Sequence, residues 1–242
     1  MNLQAENSLT LNNAKQDLQS LANPKQAAIL QQFFKTGPGE YGEGDIFLGI
    51  KVPSQRKIVR RYRTLPLNEV LRLLHSKIHD YRAVALLILV EQFNRNKKEE
   101  ERKKIFQAYL KNTKWINNWD LVDITSHKII GQYLLDKNRS VLYSLAKSKK
   151  LWEKRIAIIS TFAFIRYNDF YDALKIAEIL LNDQHDLIHK AVGWVLREVG
   201  KRDRKVEEDF LSKYYKKMPR TMLRYAIEKF PENKRKYYLT IK

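Results

Sequence analysis

The chain has 242 residues, 44% of them hydrophobic, which is enough apolar material for a packed core and separates it from disordered sequences. Lys plus Arg number 46 against 27 Asp plus Glu, and the resulting charge of +19 points to a polyanionic partner, nucleic acid ahead of an anionic membrane. Cysteine is missing altogether, so disulfides, thiolate metal sites and a cysteine nucleophile are excluded.

Residues 1–8 are expected to fray, and the first ten positions are polar with no apolar signal core. The longest apolar run, 83–90, is far too short to span a bilayer. A cytoplasmic protein without a membrane partner is therefore expected. From Thr10 the pattern is helical almost everywhere. Asn23-Pro24 reads as an N-cap followed by proline at the first helical position, with an apolar stripe at Ala27, Ala28, Leu30, Phe33 and Phe34. Residues 36–52 break the pattern and hold five of the eight glycines, so they form the one long loop. Without a Gly-Lys-Ser/Thr ending this is not a phosphate-binding loop, and both a lid and a connector fit it.

Further helices are expected at 53–63, 66–75 and 79–93, with a turn and the wet start of another helix across the mixed charge run 94–104. Residues 117–123 (Asn-Asn-Trp-Asp-Leu-Val-Asp) open the next, capped by Asn117 or Asn118 and reaching about Gln132. Helices then follow at about 138–147 and 149–166, from Asn168 or Asp169 to about Leu181, from Asp183 or His185 to Val199 with Gly200 as a stop, and at 203–217 and 219–230, and Pro231 opens a last short one. No stretch keeps the period-two alternation of a strand.

These helices pair. The longer second members begin near 79, 118, 150, 185 and 219, a helical-repeat period. The expected fold class is an all-α, HEAT-like solenoid with a concave basic groove, one domain across residues 1–242. Its second helices carry Arg82, then Trp119, Asp123 and Lys128, then Lys154 and Arg155, then Lys190, Trp194 and Arg197, and last Arg220 and Arg224. Cations from successive repeats suit a phosphate backbone. Residues 201–242 hold 14 basic and 6 acidic side chains and make a candidate clamp on a duplex.

Trp119 and Asp123 are four apart, so on a helix they share a face, whereas Asp120 points elsewhere. Trp194 follows Gly193, where the missing Cβ lets another backbone or a ligand approach. Trp115 and Trp152 read as packing residues. Arg155 either serves DNA or pairs with a carboxylate such as Asp123. His185 and His189 are spaced for a metal but have no evident third ligand, so no metal and no cofactor is expected. Neither a serine elbow nor another recognisable triad is present.

Five segments together, in order and at their spacings, resemble the DNA alkylation repair family, the AlkD-like DNA glycosylases. They are Phe47-Leu48-Gly49-Ile50-Lys51-Val52-Pro53, Asn118-Trp119-Asp120-Leu121-Val122-Asp123, Leu151-Trp152-Glu153-Lys154-Arg155-Ile156-Ala157, Lys190-Ala191-Val192-Gly193-Trp194-Val195-Leu196-Arg197-Glu198, and residues 219–228 from Pro219 through Arg220 and Arg224 to Glu228. The resemblance implies HEAT-like repeats and removal of cationic alkylated purines, such as 3-methyladenine and 7-methylguanine, from duplex DNA. It puts the catalytic aspartate at Asp123, the aromatic plates at Trp119 and Trp194, and the active-site arginine at Arg155. All four residues are present, unlike in the family's inactive, DNA-structure-binding relatives. It also implies that the damaged base is not drawn into a pocket, unlike the flipping usual for glycosylases. A monomer, associated with the nucleoid when on DNA, is expected.

The chemistry fits that expectation independently. Alkylation at N3 or N7 gives the purine a positive charge and makes it a good leaving group. What remains is stabilising the sugar as it becomes oxocarbenium-like, which a fixed carboxylate does by charge and indole faces do by cation–π attraction. Two other functions use the same features: a non-catalytic solenoid recognising bent or branched DNA, and a protein-interaction scaffold, against which the basic lining counts.

Overall fold

A computed structural model describes residues 9–240, so the fraying expected of 1–8 lies outside the described residues. Capping fixes the first helices: Thr10 and Asn13 form a capping box at α1 (Leu11–Ser20), and Asn23 accepts the Gln26 N–H at 3.0 Å to start α2 (Pro24–Phe33). The chain continues through α3 (Val52–Tyr62), α4 (Leu67–Leu74), α5 (His79–Arg95), α6 (Glu99–Lys111) and α7 (Trp119–Ser126). A π-helical segment, His127–Gly131, extends α7. Then come α8 (Ser140–Ala146), α9 (Leu151–Ser160), α10 (Phe162–Ile165), α11 (Tyr171–Ile179), α12 (Asp186–Arg202), α13 (Arg204–Tyr214), α14 (Arg220–Ala226) and α15 (Glu232–Thr240). No strand forms among the described residues; Ile46 and Ile78 make one isolated parallel bridge. The fold is all-α with helical repeats. The second members of the pairs start at His79, Trp119, Leu151, Asp186 and Arg220, each within a residue or so of its expected place.

Several boundaries differ from the sequence reading by a few residues, and two of the differences have a visible cause. The expected 149–166 helix breaks between α9 and α10, where the Ser160 and Thr161 hydroxyls bond back to the Ile156 and Ile158 carbonyls at 2.6 Å each, a local competition that bends helices. Helix α12 does not stop at Gly200 but runs on to Arg202. Gly200 is there for room: a Cβ would stand 1.5 Å from a carboxylate oxygen of Glu207 on α13.

The chain divides into two compact units, one ending at Leu121 and the other beginning at Val122. In the first, α3 and α4 pack on α5, where Val84, Ala85, Leu86, Ile88 and Leu89 are fully buried. In the second, α12 is central and packs against α9, α13 and α14 through Ile188, Ala191, Val192, Val195, Leu196 and Val199, all with no exposed surface. Gly193 permits a close backbone approach, since a Cβ would come within 2.4 Å of the Met222 carbonyl oxygen on α14. The backbone that comes near Gly193 is thus α14.

Candidate active site

Asp123 and Arg155 meet in the second unit. The Arg155 Nε–H and Nη2–H donate to the two carboxylate oxygens of Asp123, each at 2.8 Å, a fork-on-carboxylate geometry. A third guanidinium donor, Nη1, reaches the Leu187 carbonyl at 2.5 Å. The pair is largely enclosed, with 6% of the arginine side chain and 12% of the aspartate exposed. Three anchors on one guanidinium leave Asp123 in a single orientation.

That carboxylate lines an open cavity of about 280 Å³ shared with His127, Phe162, Trp194, Arg166 and Arg202. Helix α12 builds one wall, because Trp194, Glu198 and Arg202 recur at intervals of four and face the same way. The Phe162 ring tilts against Trp194 with centroids 4.7 Å apart, and the His127 ring meets Phe162 edge-on at 6.3 Å. Burial, helped by the positive charges of Lys128 and Arg166, pushes the His127 pKa down to about 4, so the ring is neutral near pH 7. The wall is a row of neutral aromatic rings beside a fixed carboxylate, a surface that attracts an electron-poor flat group.

His127, Phe162, Arg166 and Arg202 were not among the sequence candidates. Two had a readable signal, His127 four residues after Asp123 and Arg202 eight after Trp194. Phe162 and Arg166 follow Arg155 by seven and eleven residues, a helical spacing that the break at Thr161 interrupts.

In the first unit Trp119 is half-buried. Its ring stacks on Phe34 at 5.1 Å, meets Phe33 edge-on at 6.0 Å, and its Nε1–H donates to the Tyr41 hydroxyl at 3.3 Å. Asn118, fully buried, accepts the Trp119 N–H at 2.8 Å as α7 starts. Asp120 turns instead to His79, 3.1 Å from its Nε2, and that imidazole is stacked on Phe47 at 4.3 Å. The long loop is held at its far end. Asp80 accepts the N–H groups of Leu48 and Ile50 at 2.7 and 3.1 Å, and Asn23 N–H donates to the Leu48 carbonyl at 2.8 Å. Over residues 45–50 it is tied down, with Asp45, Phe47 and Ile50 buried and Ile46 exposed.

The expected phosphate ligands sort by their partners. Arg82 does not line a surface: it is 1% exposed, 2.7 Å from the buried Asp45 carboxylate, and donates to the Ser76 carbonyl at 2.9 Å. The reason is α5, which is buried on nearly every side, so its second-helix position does not put Arg82 in solvent. Lys154 pairs with Asp183, Lys190 with Asp186 at 2.6 Å, and Arg197 with Glu228. Lys128 is half-buried, while Arg220 and Arg224 are exposed, Arg220 donating to the Leu239 carbonyl at 2.5 Å. The His185 Nδ1 accepts the Leu187 N–H at 3.1 Å, and the His189 Nε2 is 2.5 Å from the Asp183 carbonyl oxygen, so both rings are used within the helix start.

An all-α repeat protein that fixes a carboxylate beside aromatic faces is the class these features define. Residues 14–230 match the DNA alkylation repair enzyme family, and the chain belongs to it. The fold is similar to a solved structure described as a predicted DNA alkylation repair enzyme from Enterococcus faecalis, with a TM-score of 0.67 and 17% identity over 87% of this chain and 97% of that one. No protein of curated function matches the sequence significantly. The family gives the chain a role as an enzyme of DNA alkylation repair, with DNA as its partner. Among the described residues, no helix is long and apolar enough to cross a membrane.

Proposed function

We propose that the protein is a monofunctional DNA glycosylase, acting as a cytoplasmic monomer on cationic alkylated purines such as 3-methyladenine and 7-methylguanine in duplex DNA. The observation that carries this reading is Asp123, held by two 2.8 Å bonds from Arg155 at the wall of the cavity that also holds Trp194. In the reaction the bond between C1′ and the purine nitrogen breaks, and its electrons neutralise the charge that alkylation put on the base. The sugar becomes an oxocarbenium ion, water adds to C1′, and the water's proton is released. Asp123 stabilises the developing positive charge and orients the water. Trp194 supplies an aromatic face. Arg155 positions the carboxylate. In the expected basic groove the exposed Arg220 and Arg224, with the half-buried Lys128, hold the backbone, and Lys154, Lys190 and Arg197 would join them only by exchanging the acids they pair with; no cofactor is needed.

The test is release of free 7-methylguanine from methylated duplex. Asp123→Asn is expected to lower the single-turnover rate about 10²–10³-fold. Salt-sensitive DNA binding with no base released by the unaltered protein would favour the non-catalytic reading, and full release by Asp123→Asn would remove Asp123 from the mechanism.

A further inference from the structure

Phosphate binding needs a cation that is near the reacting base and not already neutralised. Most cations around Asp123 fail the second condition. Lys154, Lys190 and Arg197 each have a carboxylate partner, and the Arg155 guanidinium is committed to Asp123 and Leu187. A phosphate would have to displace an acid at each of them.

Arg166 and Arg202 meet both conditions. Arg166 directly follows α10, Arg202 ends α12, both are exposed, and both line the Asp123–Trp194 cavity. Neither forms a salt bridge among the described residues. The one bond between them runs from Arg202 Nη1 to the Arg166 carbonyl at 3.4 Å, so the Arg202 guanidinium lies against the Arg166 backbone. The other acid on the cavity wall besides Asp123, Glu198, is 2.6 Å from Lys201 and 3.9 Å from Arg197. Arg202 gains something from the α12 C-terminus, as any cation there would. Arg166 has no such reason for its place, and its charge reaches into the cavity far enough to bear on the His127 ring.

We propose that Arg166 and Arg202 form a two-arginine clamp for backbone phosphates of the DNA strand beside the reacting nucleotide. The proposal rests on the glycosylase reading for the word reacting, and on geometry alone for the phosphate. One cavity then holds an aromatic wall for the base, a carboxylate for the sugar and two guanidiniums for the phosphate.

The experiment measures duplex affinity of the full chain from 50 to 200 mM NaCl, with undamaged and 7-methylguanine-containing DNA, for the unaltered protein, Arg166→Gln/Arg202→Gln and Arg166→Lys/Arg202→Lys. Two phosphate contacts account for about 1.8 in the slope of log affinity against log salt, so the glutamine pair should lose about that much. Across this fourfold salt range its affinity should fall roughly tenfold less steeply than that of the unaltered protein. Both duplexes should be affected alike, and the lysine pair should keep the slope. An unchanged slope in the glutamine pair, or a loss confined to damaged DNA, overturns the clamp. If the unaltered protein releases no base, the glycosylase reading fails while the slope comparison still decides the clamp.

Discussion

Breaking the Asp123–Arg155 pair separates two demands on one guanidinium. Arg155→Met removes a side chain that is 6% exposed and leaves a carboxylate, 12% exposed, with neither of its 2.8 Å donors. Removing one partner of so enclosed a pair costs about 3–5 kcal/mol, because the remaining charge stays desolvated. That is a large share of the roughly 5–15 kcal/mol that holds a domain of ordinary stability. Asp123→Asn leaves the guanidinium without a counter-charge and sets an amide N–H against one of its donors, so it should cost a comparable amount, and the double variant should recover much of the loss, since no unpaired charge remains. Urea denaturation of the unaltered protein, both single variants and the double variant gives the coupling directly. A coupling of about 2 kcal/mol or more is expected from the two shared bonds. Additive losses, within about 0.5 kcal/mol, would refute the argument that Arg155 exists to hold Asp123.

Two further outcomes follow from buried neighbours of the site. Burial raises Glu207 from the ordinary 4.5 to about 8, with the Glu208 charge adding and Arg204 and Arg197 opposing. Between those values the folded chain keeps a proton that the unfolded chain has lost, so stability is full below the window, falls through it, and is lowest above pH 8. Glu207→Gln should flatten that fall and raise stability at pH 8 by a few kcal/mol in urea titrations, while parallel pH profiles for the two proteins would contradict the buried, protonated acid. Gly193→Ala would place a Cβ 2.4 Å from the Met222 carbonyl oxygen and 2.5 Å from the Tyr225 Cβ. Overpacking of this kind costs about 1–3 kcal/mol and pushes α12 and Trp194 away from α14. Thermal melting should show the loss, and a melting temperature equal to that of the unaltered protein would mean that α14 yields at no cost.

Sequence carried the repeat pattern well because that signal is periodic and local. Proline at the first helical turn, Asx and Thr caps, and apolar stripes each act within a few residues, so the starts of the second helices came out within a residue or so. Asp123, Arg155 and Trp194 were readable for a different reason, the family resemblance, and the bidentate pair was one of two alternatives for Arg155. What could not be read was burial. Arg82 begins a second helix like the others, but nothing local says that α5 is enclosed on almost every side or that Asp45, 37 residues earlier, will meet it. The break at Thr161 was equally hidden, because Ser and Thr are common inside helices and bend them only where their hydroxyls find the previous turn. Phe162, Ile165 and Arg166, which line the cavity, lie directly after that break.

The geometry of the pair also limits the form that catalysis takes. Three of the five Arg155 donors are used inside the protein, and the residue is 5% exposed, so it has little left to offer a phosphate. Phosphate binding therefore passes to cations outside the pair. A carboxylate neutralised by a guanidinium acts on a distant cation as a dipole, whose field falls off faster than that of a lone charge. Its benefit is concentrated on a positive charge that forms close to the oxygens facing the cavity, away from Arg155. The alkylated base is cationic before the reaction and neutral after it, while the sugar is neutral before and cationic at the transition state. A short-range field at Asp123 favours the second change over binding the first, which is the differential interaction that raises a rate. By this argument Asp123→Asn should slow the chemical step while leaving affinity for methylated duplex within about threefold of the unaltered protein. A variant that instead lost affinity and kept its single-turnover rate would show Asp123 to be a ground-state ligand of the cationic base.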